Sequence, residues 1–368
     1  MTEAYNEATP VVIAYQRLQP FGGGMEGIMA RPIKVNVPRY LMDLNNEEHW
    51  LYTASPPITR ADGKPSEEMA VFIRPDDSGL KLYAMTDSIM MSSERPDYVP
   101  HFHEHRTGYE TWFVDSNAMD ISINGQVTRI EPGTFFHLQP YMIHNNYMYG
   151  DVKFRGFFQN WNGADTVPYT QLMEHYQPGL KEKFKKADVY TVGHDHFMHE
   201  PMDCVRVPNE QVSAVRHPDR PIAKFESEGV TVKLMVGRWE CAGVREINYF
   251  EFKKGFRAET VDFPAYRELY FVREGQIKFR IFSDEFVAYK DCLVDIPAFI
   301  PHSIEALTDS AMYDMGGMTC WYDFLINYST ILKKTPEKAK DAAFMENLKK
   351  VNGFQVKSYG MDGNMITV

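Results

Sequence analysis

Two stretches of the sequence decide the fold: "ETWFVDSNAMDISINGQ" at residues 110–126 and "ELYFVREGQIKFRIFSD" at residues 268–284. Superposed at an offset of 158, they pair Glu110 with Glu268, and the same offset brings His144 onto His302. No gap is needed between the glutamate and the histidine in either copy. Matched ends across an ungapped run of this kind indicate an internal duplication.

The residue types within and around both copies are typical of short strands. Runs such as "LKLYAM", "GTFFHL", "VTVKLMVG" and "CLVDIP" are rich in aromatic and β-branched residues and are bounded by Gly, Pro, Asn and Asp. Helical patterns occur between the copies, in "VPYTQLMEHYQPGLKEKFKKADVY", and in the tail "TPEKAKDAAFMENLKKVNG", where Thr335-Pro336-Glu337 suits a helix start. The chain is therefore predicted to be an all-β protein of two tandem barrels with a helical connector and a C-terminal helix.

The predicted boundaries divide the chain into five parts. They are an N-terminal arm with accessory strands (1–69), a first barrel (70–165), a connector with a helix (166–225), a second barrel (226–325) and a helical tail (326–368).

Composition limits the classes of function. The 368 residues are 44% hydrophobic and 24% charged, and the formal net charge is -11. A negative surface disfavours nucleic acid and anionic membranes as partners, and no apolar run has the length of a membrane span. The N-terminal sequence does not resemble a signal peptide, and the cysteines (Cys204, Cys241, Cys292 and Cys320) are too dispersed for a disulfide framework. We therefore expect a protein of the reducing cytoplasm.

Candidate metal ligands lie just before the first copy, in "VPHFHEHRTGYETWFV" at residues 99–114. Alternate residues of a strand point to the same side, so His103 and His105 can reach one point. Glu110 can return to that point after a turn, and His144 can reach it from a strand distant in sequence. Three imidazoles and one carboxylate suit a divalent transition metal better than calcium and leave coordination positions open.

These residues resemble the motifs of the cupin superfamily. His103, His105 and Glu110 have the spacing of its first motif, and "EPGTFFHLQPYMIHNN", which ends near His144, resembles its second. The resemblance implies double-sheet jelly-roll barrels and, with the duplication, a bicupin. The sequence departs from the family at Gln139, where a proline is usual, and at Tyr141, where a glycine is usual. These departures concern the shape of the loop more than the ligands.

Alternatives remain at the site. His101 and His103 could be the paired ligands, although His103 and His105 match the family spacing to Glu110 without an insertion; His101 would then lie at the pocket mouth. A polar loop without metal is the other alternative. In the second copy, the positions of His103 and His105 hold Val261 and Phe263. We therefore expect one metal ion, in the first barrel, and a structural second barrel.

Further residues are candidates for a substrate pocket or a second site. Four aromatic residues near the ligands could line a pocket, and two polar residues could meet a substrate: Trp112, Phe136, Phe158 and Trp161, with His137 and Gln159. The connector segment "GHDHFMHE" contains His194, His196 and His199, which could bind zinc but are expected to form a solvated linker.

The resemblance also implies a reaction class. Bicupins that keep a metal in one barrel resemble quercetinase-like, ring-cleaving dioxygenases, which suggests an oxidoreductase that acts with dioxygen on an aromatic or polyphenolic substrate. Fe(II) is the first expectation for the ion, with Mn, Ni, Cu or Zn as alternatives, and Glu110 could also act as a base. A redox-neutral isomerase, lyase or decarboxylase and a non-catalytic binding protein are the alternative functions. A homodimer is expected from the resemblance alone.

Overall fold

The computed structural model describes residues 40–49, 52–54, 67–73, 83–89, 102–106, 108–159, 166–168, 191–193, 197–199, 214–227, 229–241, 246–258, 261–262, 267–281, 284–297, 300–315, 321–352, 355–356, 358–359 and 365–366. His101, Trp161, His194, His196, Phe263, Cys204, Cys320 and the helix predicted in the connector lie outside these residues. For Phe158, Gln159 and His199 only the main chain is described.

The described part of the chain is mostly strand. The strands before the second barrel are β1 (Leu41–Asp43), β2 (Tyr52–Ala54), β3 (Glu67–Ile73), β4 (Tyr83–Ile89), β5 (Phe102–Glu104), β6 (Tyr109–Ser116), β7 (Met119–Ile123), β8 (Gln126–Ile130), β9 (Phe135–Leu138), β10 (His144–Met148), β11 (Val152–Gln159), β12 (Thr166–Pro168), β13 (Thr191–Gly193), β14 (Phe197–His199) and β15 (Val215–Arg216). The later strands are β16 (Ala223–Ser227), β17 (Val230–Val236), β18 (Ile247–Phe252), β19 (Val261–Asp262), β20 (Glu268–Glu274), β21 (Gln276–Ile281), β22 (Asp284–Tyr289), β23 (Cys292–Ile296), β24 (His302–Ala306), β25 (Ser310–Asp314), β26 (Gln355–Val356), β27 (Ser358–Tyr359) and β28 (Met365–Ile366). The helices are α1 (Trp321–Lys334) and α2 (Ala342–Val351), with 3₁₀ turns at Glu47–His49, Arg238–Glu240 and Lys338–Lys340.

Most of these strands form two barrels of two sheets each, while β12 pairs with β13 and β27 with β28 in two separate two-stranded sheets. The first barrel has a large sheet in the order β15-β9-β6-β11-β4-β3-β2 and a small sheet in the order β14-β5-β10-β7-β8. The second has a large sheet in the order β1-β23-β20-β25-β18-β17-β16 and a small sheet in the order β22-β21-β24-β19-β26. Strands β5 to β11 correspond in order and position to β19 to β25. The predicted all-β architecture of two tandem barrels is confirmed.

Each barrel receives an edge strand from the segment that precedes the other. Strand β1, before the first barrel, pairs with β23 of the second, with Met42 opposite Leu293. Strand β15, before the second barrel, pairs with β9 of the first, with Val215 opposite Phe136. Because β9 and β23 are equivalent strands, the exchange is nearly symmetric and ties the barrels together.

The two large sheets pack face to face through an aromatic core. Phe113 of the first barrel contacts Phe271 and Tyr313 of the second, with ring centroids 5.5 and 4.7 Å apart. Phe113 and Phe271 occupy equivalent positions in the two copies, as do Asp115 and Arg273, whose side chains meet at 3.1 Å. Equivalent residues that touch each other are the mark of a two-fold axis. The duplicated halves are therefore related by a pseudo-two-fold axis through this interface.

The interior of each barrel has its own core. In β6, Val114 faces the interior of the first barrel, whereas Phe113 faces the second barrel, as strand alternation requires. The first interior contains Val114, Met119, Ile121, Ile130, Phe136, Leu138, Met142, Met148, Val152 and Phe154. Both faces of the large sheets are covered, so their strands do not show the alternation of apolar and polar residues that a solvent-exposed face would give.

The tail is helical, as predicted, but it contains two helices. Helix α1 ends at Lys334, and α2 begins after Asp341, whose side chain accepts a hydrogen bond from the Phe344 N–H at 3.0 Å. The Thr335-Pro336-Glu337 signal therefore lies in the connection between helices rather than at a helix start. Trp321, which comes after β25, begins α1. No helix in the described ranges is long and apolar enough to cross a membrane.

Candidate metal centre

Four side chains from separate segments of the first barrel converge on one point. His103 lies in β5 directly opposite His144, the first residue of β10, in the small sheet. His105 follows β5, and Glu110 comes from β6 of the large sheet. The cluster therefore lies between the two sheets of the barrel, where strand pairing holds ligands that are far apart in sequence.

The ligand atoms of these four residues all lie within 4.8 Å of one another, and all four residues are buried. Glu110 Oε2 is 3.2 Å from His105 Nε2 and 3.1 Å from His144 Nε2. The rings of His103 and His144 are 4.0 Å apart between centroids. Neighbouring ligands at right angles, each about 2.1 Å from one ion, lie about 3 Å apart, so these distances fit a shared cation.

Hydrogen bonding of His144 favours metal binding. Its Nδ1 lies 2.9 Å from the Met142 carbonyl oxygen, which can only accept, so Nδ1 carries the proton and Nε2 presents a lone pair. That lone pair faces the carboxylate oxygen of Glu110. Two acceptors at this distance repel unless a proton or a cation lies between them. An outer hydrogen bond of this kind also orients a metal-binding imidazole.

Glu110 is held as a carboxylate. Burial favours the neutral acid, but when His144 and His105 are protonated and face it, their positive charge and hydrogen bonds outweigh burial and hold the pKa of Glu110 well below its usual range. The indole N–H of Trp112 donates a hydrogen bond to Glu110 Oε1. One oxygen of Glu110 is thus anchored by Trp112, while the other faces the histidines.

The turn that departs from the family motif has an unusual backbone. Tyr141 has φ of 69°, in the left-handed region that glycine adopts more easily. Its N–H donates to the His105 carbonyl oxygen at 2.6 Å and so links the second motif to the first. The backbone shape that a glycine would supply is therefore kept with a tyrosine in its place.

The second barrel keeps part of the same arrangement. Glu268 and His302 are both buried, and His302 pairs with Val261 across β24 and β19 as His144 pairs with His103. His302 Nδ1 lies 3.2 Å from the Ile300 carbonyl oxygen, as His144 does with Met142. Among the described residues, clusters of three or more metal-ligating side chains within this range occur in the first barrel alone.

The predicted pocket residues lie on both faces of the large sheet. Trp112 and Phe136 belong to the interior of the first barrel, where Trp112 also packs edge-on against Phe154 at 5.4 Å. Strand β11 places the main chain of Phe158 opposite Glu110 and that of Gln159 opposite Tyr109. Phe154 was missed by sequence reasoning, although strand alternation from Val152 puts it in the same interior core.

His137 lies on the opposite face of the sheet and is removed from the candidate pocket. Its Nδ1 is 2.9 Å from Thr111 Oγ1, and its Nε2 is 3.5 Å from Cys241 Sγ of the second barrel. Its neighbour Phe136 faces the barrel interior, so strand alternation directs His137 toward the other barrel. Cys241 and Cys292 are buried and form no disulfide among the described residues, as expected for dispersed cysteines.

The histidine-rich connector is not only a linker. Residues Phe197–His199 form β14, which pairs with β5 and places Met198 opposite His103. The connector thus supplies the edge strand that completes the backbone hydrogen bonding of the ligand-bearing strand. This arrangement depends on a contact between residues far apart in sequence.

Comparison with protein-family models and with curated proteins gave no match. Solved structures of oxalate decarboxylase OxdC from Bacillus subtilis are similar to this chain. One mutant has a TM-score of 0.48 at 12% identity, covering 76% of this chain and 77% of that chain. The structure at pH 4.6 has a TM-score of 0.47 at 12% identity, covering 76% and 75%. Likeness at this level concerns the fold and carries no information on the reaction. The strand order of the two barrels gives the duplicated double-sheet architecture expected from the sequence, and the cluster of His103, His105, Glu110 and His144 lies in the first barrel.

Proposed function

We propose that this chain is a bicupin of the cupin superfamily and a metal-dependent enzyme with one catalytic centre, in the first barrel. The observation that carries the proposal is the convergence of four buried ligand atoms within 4.8 Å. Burying an anionic carboxylate among imidazoles is costly unless a cation or protons compensate. A divalent ion bound there would act as a Lewis acid and, if redox-active, as a route for electrons.

The surrounding side chains favour an apolar, oxygen-containing substrate. Trp112, Phe136 and Phe154 form an aromatic wall in the barrel interior, and Trp112 reaches Glu110 through its indole N–H. An aromatic enol or phenol has the apolar surface for such a wall and an oxygen for the ion. A dioxygenase acting on such a substrate is therefore our first candidate for the reaction, with Fe(II) as the first candidate ion and Mn(II) as the next.

Glu110 is proposed as a ligand first. Its low pKa keeps it ionised and makes it a weak proton acceptor, so a role as a base requires release from the ion. Glu110→Gln separates the two roles. If Glu110 is only a ligand, metal content and turnover should fall together. If it also accepts the proton, turnover should fall much further than metal content.

Reaction type is tested by metal analysis of the purified protein, followed by parallel assays for dioxygen uptake and carbon dioxide release. The substrate panel contains flavonols, catechols and small dicarboxylates. We expect one ion per chain and dioxygen uptake with a phenolic substrate. The matched variants are His144→Ala, which should lose the ion and the activity, and His49→Ala, a histidine outside both barrel interiors, which should keep both.

Other outcomes assign other functions. Carbon dioxide release without net uptake of dioxygen would indicate a decarboxylase. That is the activity named for the similar Bacillus subtilis protein. Binding of a small molecule without metal, unchanged in His144→Ala, would indicate a non-catalytic binding protein.

A further inference from the structure

A cleft lies between the barrels, on the surface of the second large sheet. It has a volume of about 870 Å³, and its lining includes Gly133 of the first barrel, the His217–Asp219 segment and strands of the second barrel. This volume is within the range of about 300–1,000 Å³ usual for small-molecule sites. Its lining contains none of the four candidate metal ligands.

Two tyrosines line this cleft with hydroxyls that have no partner in the described structure. Tyr249 and Tyr313 are cross-strand neighbours with ring centroids 4.6 Å apart. They are only 7% and 2% exposed, because their rings belong to the core between the barrels. Neither hydroxyl oxygen is among the fully enclosed, unpartnered atoms of the described residues, so both open onto the cleft. Hydroxyls in that position are available to a ligand.

Both hydroxyls are donors at neutral pH. Burial, followed by the nearby carboxylates of Glu274 and Glu251, raises the pKa of Tyr249. Burial also raises the pKa of Tyr313. A ligand that faces these protonated phenols can accept a hydrogen bond from each O–H or donate one to each phenol oxygen, which suits a group that does both.

The charges around the cleft nearly cancel. Most are paired: Lys253 lies 3.3 Å from Asp309, and Arg273 lies 3.1 Å from Asp115. Glu226, Glu251 and Asp219 also have cationic or histidine partners. Of the charged residues that line the cleft, Glu274 and Lys290 have no ion pair within the described part of the chain. An anion in the cleft would be attracted by Lys290 and repelled by Glu274. A cation would be attracted by Glu274 and repelled by Lys290.

We propose that this cleft binds a neutral polyhydroxylated small molecule of the sugar or polyol class. Its oxygens would accept hydrogen bonds from Tyr249, Tyr313 and Lys290, and a hydroxyl would donate to Glu274. Such a ligand uses all four groups and needs no net charge. The proposal is independent of the reaction at the metal centre.

The test is binding of free sugars to the full chain, measured by saturation-transfer NMR and titration. The probes are glucose, sucrose, maltotriose and sorbitol, with glycine, acetate and ethylammonium as the zwitterion, anion and cation. We expect the polyols to bind. Tyr249→Phe and Tyr313→Phe keep the rings and remove only the hydroxyls, so each should weaken binding by about three- to ten-fold.

Control variants separate this site from the rest of the protein. Tyr328→Phe removes a hydroxyl on α1, away from the cleft, and should leave the affinity unchanged. Glu274→Gln and Lys290→Gln change exposed rim residues, so they test the site without risk to the core. His144→Ala should retain polyol binding, because the metal centre is separate.

Three results would overturn the proposal. They are no polyol binding by the wild-type chain, equal affinity in the tyrosine and rim variants, or tighter binding of glycine, acetate or ethylammonium. Loss of sugar binding in His144→Ala alone would place the sugar at the metal centre instead.

Discussion

Trp112 shows how one side chain outside the ligand set can shape the centre. It lies two residues after Glu110 on β6 and donates its indole N–H to Oε1. Oε2 is thereby directed at the imidazoles of His105 and His144. Hydrogen bonds to metal-binding carboxylates fix their orientation, so the contribution of Trp112 should appear in metal affinity.

Trp112→Phe should therefore weaken metal binding by about 10–100-fold while the barrel stays folded. Phenylalanine keeps most of the apolar surface and removes only the N–H donor. The measurement is competitive titration with a chelator, followed by metal analysis. Trp239→Phe is the matched control, because Trp239 is exposed and lies outside the first barrel. Equal affinities in the two variants would contradict the assigned role.

His302 is the counterpart of His144 in the second barrel and is also buried. Among the described residues it does not belong to a cluster of three or more metal-ligating side chains. Burial lowers its pKa to about 4, against a smaller opposite effect of the hydrogen bond to the Ile300 carbonyl. The unfolded chain binds this proton below a pH of about 6.5. Between those values the unfolded state carries more protons, so the free energy of unfolding falls as the pH falls.

The contribution of His302 to stability should be complete above pH 6.5, decline as the pH falls toward 4, and be lost below it. The total loss is about 3 kcal/mol by linkage. Because His302→Gln cannot take up the proton, its free energy of unfolding should depend less on pH in this window. Urea unfolding of both proteins at several pH values checks this. Parallel pH profiles would exclude His302 as the cause.

At the scale of elements, the C-terminal helices show how local signals compete. Thr335 precedes Pro336, and a residue before proline is disfavoured in a helix, so α1 stops at Lys334. The chain continues through a 3₁₀ turn before Asp341 caps α2. Two helix-start signals, Thr335-Pro336-Glu337 and Asp341, lie within a few residues of each other. The sequence alone does not show which of them begins the helix.

Asp341→Ala should lower the stability of α2 by about 1 kcal/mol, because it removes the acceptor for the Phe344 N–H. Amide hydrogen exchange over residues 342–351 measures this directly. Glu337→Ala is the matched control, since Glu337 precedes the 3₁₀ turn and makes no side-chain capping bond. Faster amide exchange in Glu337→Ala than in Asp341→Ala would show that Asp341 is not the residue that caps α2.

For the whole molecule, the contact between the large sheets makes the two barrels one cooperative structure. Phe113 and Phe271 meet at the pseudo-two-fold axis, and Arg155, only 1% exposed, binds Asp115 at 2.7 Å beside Arg273. An aromatic core covers both inner faces, so separation of the barrels would expose it. The exchanged strands β1 and β15 add backbone hydrogen bonds across the same boundary.

Phe113→Ala and Phe271→Ala should each cost about 3–5 kcal/mol. In the double variant the two losses should fall short of additivity by about 0.5–1.5 kcal/mol, because the rings contact each other. Denaturant unfolding measures the cycle. Phe252→Ala, in the separate core of the second barrel, should be additive with Phe113→Ala. Strict additivity of Phe113 and Phe271 would show that the barrels are independent.

The sequence alone determined the strands, the duplication and the spacing of the four candidate ligands. Strand propensity and period-two alternation are local properties, and the constant offset from Glu110 to His144 survives in Glu268 and His302. Only the tertiary structure decided which face of each strand meets which partner. Both faces of the large sheets are buried, so the sequence does not show which of His137 and Phe136 faces the barrel interior. In the structure Phe136 faces the interior and His137 faces the second barrel. The pairing of β14 with β5 and the cleft at Tyr249 arise in the same way, from contacts between segments whose distance along the chain leaves no local signal.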